Sequence, residues 1–176
     1  PNFADEEYLS MDFTPDDNTV DIVFMGNVGV AQNLEDVVRS FKSAIEQIGD
    51  KNLIKLHIVG GGVRLDDIKK LVKELGIEDS VKFYGQRPQE EMPDFYKIAD
   101  ACIVSLKADN MIGLTFPAKV QGYMAAKKPV LGMIDGSCKK VINEASCGIC
   151  VSAGDIKGFS DAIVKFSMEK DKWTEY

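Results

Sequence analysis

Four short segments of this 176-residue chain carry residue types that could hold a charged ligand. They are Gly26-Asn27-Val28-Gly29 with Gln32 close behind, Gly60-Gly61-Gly62, Gly85-Gln86-Arg87, and the stretch from Gly113 to Lys119. Glycine lets a backbone adopt positive φ and approach a phosphate or a ring closely, although the same residues also serve as plain turn punctuation. In the last segment Pro117, Ala118 and Lys119 open a helical stretch, so free backbone N–H groups and one ammonium meet at a single point. That combination suits a diphosphate. The competing reading is a capped surface helix.

Other chemistry is poorly supported. From Gly60 and Gly62 the third position of a dinucleotide fingerprint is Leu65, and from Gly26 the second glycine is replaced by Val28, so both candidates fail. The chain has no Gly-Lys-Ser or Gly-Lys-Thr for a P-loop and no Asp-x-Asp to carry a divalent ion on a nucleotide. A phosphate site working without metal or cofactor is therefore expected. Cys147-Gly-Ile-Cys150 has redox spacing, but an apolar strand rather than a helix follows it, so buried packing is the expectation. His57, the only histidine, lies in mid-strand and offers no Ser-His or Cys-His pair.

The elements that must present these segments alternate regularly. Strand-like runs at 20–26, 54–60, 81–84, 101–106, 129–133 and 148–152 are each followed by a helical stretch. In the first, Leu34, Val37, Val38, Phe41, Ile45 and Ile48 share one face; in the second, Leu65, Ile68, Leu71, Val72 and Leu75 do so, with Gly76 closing the helix. Helices are also predicted over 90–99, from Pro117 to about Ala126, over 138–145, and over 156–168 with Phe159, Ala162, Ile163 and Phe166 inward. Six βα units of this kind predict an α/β fold, a Rossmann-like doubly wound parallel sheet whose ligands bind where strands end and helices begin.

Composition bounds the rest. With 45% hydrophobic and 28% charged residues, one globular domain with a substantial core is expected. Lys plus Arg number 21 against 28 Asp plus Glu, a net charge of -7, which disfavours coating a nucleic acid but leaves a small phosphate ligand open. Four irregularly spaced cysteines and no membrane-length apolar run point to a reducing cytosol. The acidic, aliphatic-poor residues 1–19 read as an interdomain linker, 20–170 as the binding domain, and 171–176 as the truncated start of a tail. Position 1 is a proline with no signal peptide behind it, so a piece of a longer chain is expected.

The order of the segments carries a resemblance. Val59-Gly60-Gly61-Gly62-Val63-Arg64, Val81-Lys82-Phe83-Tyr84-Gly85 and Tyr96-Lys97-Ile98-Ala99-Asp100 resemble signposts of the C-terminal, nucleotide-binding half of group 1 glycosyltransferases of GT-B architecture. Pro1 to Asp5 resembles the junction leaving the N-terminal half. Pro117-Ala118-Lys119, Tyr123 to Ala126, Lys128-Pro129-Val130, and Gly26 to Gly29 with Gln32 are similar to the subgroup that builds bacterial surface polysaccharides, amino-sugar transferases included.

The resemblance implies a nucleotide diphosphate sugar, UDP-linked, transferred with retention to a glycan or lipid-linked acceptor. It places the base against Gly85, Gln86 and Arg87, with Gln121 beside the ribose, and the diphosphate at Pro117, Ala118 and Lys119. The sugar faces the loop of Gly26, Asn27, Gly29 and Gln32 and the loop ending at Thr115. It further implies an acceptor domain N-terminal to this chain, without which the domain is inactive, and peripheral contact of the full-length enzyme with the inner face of the membrane.

This sequence also departs from the family. Asn27 and Gln32 stand where many members carry Arg and Lys, Leu114 and Gly122 where many carry a pair of glutamates, and Lys127 where a capping glycine is usual. Two other readings stay open: a sugar-nucleotide epimerase of the same architecture, and a non-catalytic Rossmann-type interaction module.

Overall fold

The computed structural model describes residues 19–108 and 117–173. Six strands and six helices alternate: β1 (Val20–Met25), α1 (Leu34–Ile48), β2 (Ile54–Val59), α2 (Leu65–Glu74), β3 (Val81–Gly85), α3 (Met92–Ile98), β4 (Ala101–Ser105), α4 (Ala118–Ala125), β5 (Val130–Met133), α5 (Gly136–Glu144), β6 (Gly148–Val151) and α6 (Ile156–Met168). The strands form one parallel sheet in the order β3-β2-β1-β4-β5-β6. Chain direction across the sheet reverses between β1 and β4, which makes that gap the topological switch point where a doubly wound sheet binds its ligand.

Strand side chains alternate between the faces, so each strand feeds two cores. Val20, Ile22 and Phe24 of β1 pack with Val37, Phe41, Ile68, Phe159, Ile163 and Phe166, which puts α1, α2 and α6 on one side. Val23 and Met25 pack with Phe95, Tyr96, Val120, Tyr123, Cys138 and Ile142, which puts α3, α4 and α5 on the other. Central strands β1 and β4 are buried along their whole length, as expected of a parallel sheet covered on both faces. Among the described residues no helix is long and apolar enough to cross a membrane.

The helical faces read from spacing are the buried ones, and Gly76 takes the left-handed conformation just past α2. Boundaries differ locally. Residues Gln89–Glu91 form a 3-10 turn before α3 starts at Met92, and α5 begins at Gly136, two residues before Cys138. Pro117 is the residue before α4 rather than part of its first turn, because its ψ of 123° is extended. Residues 1–18 of the expected linker lie outside the described residues. At the other end, Lys170–Trp173 form a 3-10 turn, and Trp173 tilts against Phe166 at 5.8 Å between ring centroids.

One buried polar chain interrupts the core. The carboxylate of Asp21 meets His57 Nε2, His57 Nδ1 lies 2.8 Å from the Tyr84 hydroxyl, and Asp100 accepts from the Asp21 amide at 2.7 Å. Burial works against the Asp21 charge, but hydrogen bonds from His57 and Thr19 outweigh it and hold the carboxyl below its usual pKa. His57 is thus a satisfied core residue with no nucleophile beside it. All four cysteines are free, and burial pushes the Cys150 thiol up to about 12, as packing rather than redox use would have it.

Candidate functional site

Three loops at the carboxyl ends of β1, β2 and β3 are joined backbone to backbone. Gly26 N–H donates to Val59 O at 2.9 Å, Gly60 N–H to Gly85 O at 2.8 Å, Val28 N–H to Gly61 O at 2.8 Å, and Arg64 N–H to Val28 O at 3.0 Å. Contacts this close leave no room for side chains. A Cβ on Gly60, at φ 143°, would sit 1.8 Å from Gly26 O, and one on Gly62, at φ 150°, would sit 2.4 Å from Val28 O. These glycines are required first by loop-on-loop packing. Arg64, paired with Glu35, ties the start of α2 to α1 behind them.

The joined loops enclose a crevice of about 400 Å³ lined by Gly26, Asn27, Val59, the three glycines 60–62, Gln86, Arg87 and Met92. The Arg87 guanidinium is steered there from its own turn, its Nε donating to Tyr84 O at 3.0 Å while Glu91 lies 3.6 Å from Nη1. Asn27 is wedged between glycines: a Cβ on Gly29 would lie 2.6 Å from its Nδ2, and one on Gly62 2.6 Å from its Oδ1. Gln32 turns inward on its own loop, accepting from Gly29 N–H at 3.2 Å, while its carbonyl accepts from the Ser105 hydroxyl at 2.5 Å. Gly85 supplies the left-handed turn, at φ 69°, that aims Gln86 and Arg87 into the space.

The opposite wall is α4. Pro117 has no N–H to give, Val120 N–H turns back to Pro117 O, and the amides of Ala118 and Lys119 have no acceptor among the described residues. Lys119 reaches from α4 toward β1. Its ammonium is 3.4 Å from Met25 O, 4.1 Å from the Phe24 ring centroid and 3.6 Å from where a Cβ of Gly26 would stand. Printed pairing between β1 and β4 is confined to Ile22 with Ala101 and Val23 with Cys102, so the carbonyls beyond lack a strand partner. The Tyr123 hydroxyl, 3.3 Å from both Met25 O and Ile103 O, and Lys119 fill that role.

No carboxylate among the described residues pairs with Lys119. Burial lowers its pKa to about 8, with the Cys102 and Cys138 thiols acting weakly in the other direction. Gln121 also lies on α4, and its side-chain oxygen is buried without a partner. Among the described residues no three His, Cys, Asp or Glu side chains converge as a metal site would require.

The fold therefore brings Gly26, Asn27, Gln86 and Arg87 to one crevice and sets Gly29 and Gln32 beside it. Pro117, Ala118, Lys119 and Gln121 share the neighbouring helix, and Thr115 lies outside the described residues. Met92, Phe24, Tyr123 and Ser105 were not legible as site residues from spacing. Tyr123 and Phe24 carry only the apolar periodicity of core positions, whereas Met92 follows the Gly85 turn closely enough that its loop position was a usable signal.

A model of the family described as glycosyl transferases group 1 matches residues 7–175. The chain belongs to the group 1 glycosyltransferases. N-acetyl-alpha-D-glucosaminyl L-malate synthase of Bacillus anthracis is 25% identical over 97% of this chain and 44% of its own length. The probable glycosyltransferase WbjE of Pseudomonas aeruginosa is 28% identical over 71% of this chain and 30% of its own. Thus the chain spans less than half the length of these curated relatives. Among solved structures, HepE of Anabaena in complex with UDP superposes with a TM-score of 0.72 at 17% identity, covering 89% of this chain and 41% of that one. The C-terminal domain of the group 1 protein LpcC of Francisella tularensis superposes with a TM-score of 0.73 at 17% identity, over 97% of this chain and 90% of that one. These likenesses establish the C-terminal Rossmann-like half of a GT-B group 1 glycosyltransferase.

Proposed function

We propose that this chain is the donor-binding half of an enzyme that moves a sugar from a UDP-sugar, with retention, to a glycan or lipid-linked acceptor of a bacterial surface polysaccharide. The observation that carries the reading is a cation without a carboxylate, Lys119, at the switch point between the crevice and the open amides of α4. In this reading the base lies against Gly85, Gln86 and Arg87, with Gln121 near the ribose. The diphosphate lies at Pro117 to Lys119, and the sugar faces Gly26, Asn27, Gly29, Gln32 and Thr115.

The contribution to rate is electrostatic. Helix amides and the Lys119 ammonium stabilise negative charge growing on the departing diphosphate, without metal or cofactor. Acceptor binding and any acid or base on that side belong to an N-terminal half, joined through residues 1–19. The domain proper spans 20–170, with 171–176 opening a tail. The full-length enzyme works in the cytoplasm at the inner membrane face. That HepE was crystallised with UDP supports the choice of uracil.

Thermal unfolding of this chain with UDP, GDP or NAD tests the reading. A ligand at 100 times its dissociation constant adds about 2.7 kcal/mol of stability. UDP is expected to give the largest shift; a response to NAD alone overturns the proposal, and silence to all three favours an interaction module.

A further inference from the structure

The Lys119 ammonium sits in a neutral socket. Around it are the Met25 carbonyl, the face of the Phe24 ring and the bare Cα of Gly26, which also lines the crevice. The titratable groups facing it from the packed elements are Tyr123 on α4, Cys102 on β4 and Cys138 on α5. Burial keeps these uncharged: it raises the Tyr123 hydroxyl and the Cys102 thiol well above their usual values, and the Cys138 thiol to about 11. Lys128 acts on Cys102 but is not among the groups that shift Lys119.

A carbonyl dipole and a ring face stabilise an ammonium only in part, because neither supplies a full negative charge. Elsewhere on the molecule lysines do meet carboxylates, as Lys157 does with Asp161 at 2.6 Å and Lys51 with Asp79 at 3.1 Å. Resting on the reading above, we infer that the counter-charge of Lys119 is the ligand's own diphosphate, so that donor binding carries a proton from solvent onto Lys119. In the free chain the site holds a mixture of amine and ammonium around pH 8. The bound dianion draws the equilibrium to ammonium. No other charge moves, since a phosphate with a second pKa of about 6 is already ionised there.

The sign follows from linkage. Above pH 8 the free amine must be protonated for the full interaction, so affinity falls as pH rises, by up to about tenfold per unit. At pH 7 Lys119 is already charged and uptake is small.

Calorimetric titration of the chain with UDP at pH 8.5, in two buffers of different protonation heat, reads the uptake directly. About three-quarters of a proton per UDP is expected, from a free pKa of about 8. Lys119→Arg, whose guanidinium stays charged, should bind UDP with no uptake and no fall in affinity between pH 7.5 and 9. Lys119→Met should bind more weakly at pH 7 and also show none. Binding without uptake in the parent chain, or uptake that survives in Lys119→Arg, overturns the inference while leaving the UDP site standing. Failure of the parent chain to bind UDP at any pH overturns both.

Discussion

On the β1-β2-β3 side of the switch point the crevice wall is main chain against main chain, whereas on the β4 side it is side chains of α4 reaching across a split in the sheet. Gly26, Gly60 and Gly62 let three loops touch at distances no side chain could share. Across the gap, Tyr123 and Lys119 occupy carbonyls that a continuous ladder would have paired. The first wall supplies shape that is hard to alter, and the second supplies charge that is easy to alter. One family can thereby keep a donor crevice while moving its positive charge. Here the first loop carries the neutral Asn27 and Gln32, and the cation comes from behind, at Lys119.

Breaking the main-chain wall should have the largest effect. Gly60→Ala is expected to cost about 3 kcal/mol or more in urea unfolding, from a blocked contact and a positive φ together. Gly61→Ala meets only the Cβ of Gln86 at 3.6 Å and should stay within about 0.5 kcal/mol. Equal losses at 60 and 61 would remove the packing account.

Breaking the charged wall should leave the fold and change the ligand. Lys119→Ala is expected to weaken UDP by about tenfold to a hundredfold, the range of a charge-assisted hydrogen bond, with uridine nearly unaffected. Equal losses for both ligands would take Lys119 out of the phosphate site. Stability tests the same residue without ligand. The folded pKa of about 8 lies below the unfolded value, so the unfolded chain binds more protons between the two. Relative to Lys119→Met, the parent chain should gain stability as pH rises from 8 toward 10.5, and a parallel pair of profiles would count against burial of the ammonium.

Smaller effects sharpen the contrast. Arg87→Ala, on the base side, should weaken UDP and uridine by the same factor, about twofold to tenfold. A selective loss of UDP would reassign Arg87 to the phosphates. Lys127 holds φ 53° at the end of α4, so Lys127→Gly should add about 0.5–1 kcal/mol in thermal or urea unfolding, with UDP binding unchanged.

Much of the architecture was legible because period is a local property. Helical stripes such as Val37, Val38 and Phe41, and buried runs such as Ala101 to Leu106, declare which face turns inward without knowing the neighbour. The strained Lys127 was legible for the same reason, as a non-glycine at a capping position. The diphosphate segment was visible as a proline-led helix start, but the destination of the Lys119 side chain was not.

What the sequence determined by itself was therefore the set of elements, the parallel sheet they imply and the four glycine-bearing turns at its edge. Hydrophobic spacing and backbone freedom are written residue by residue. Tertiary structure alone decided that Gly60 and Gly62 serve loop contact before any ligand, that Asp21, His57 and Tyr84 satisfy one another in the core, and that Lys119 lies under Gly26 without a carboxylate. Each depends on distances between residues far apart in the chain, and on the burial that folding imposes on a charge.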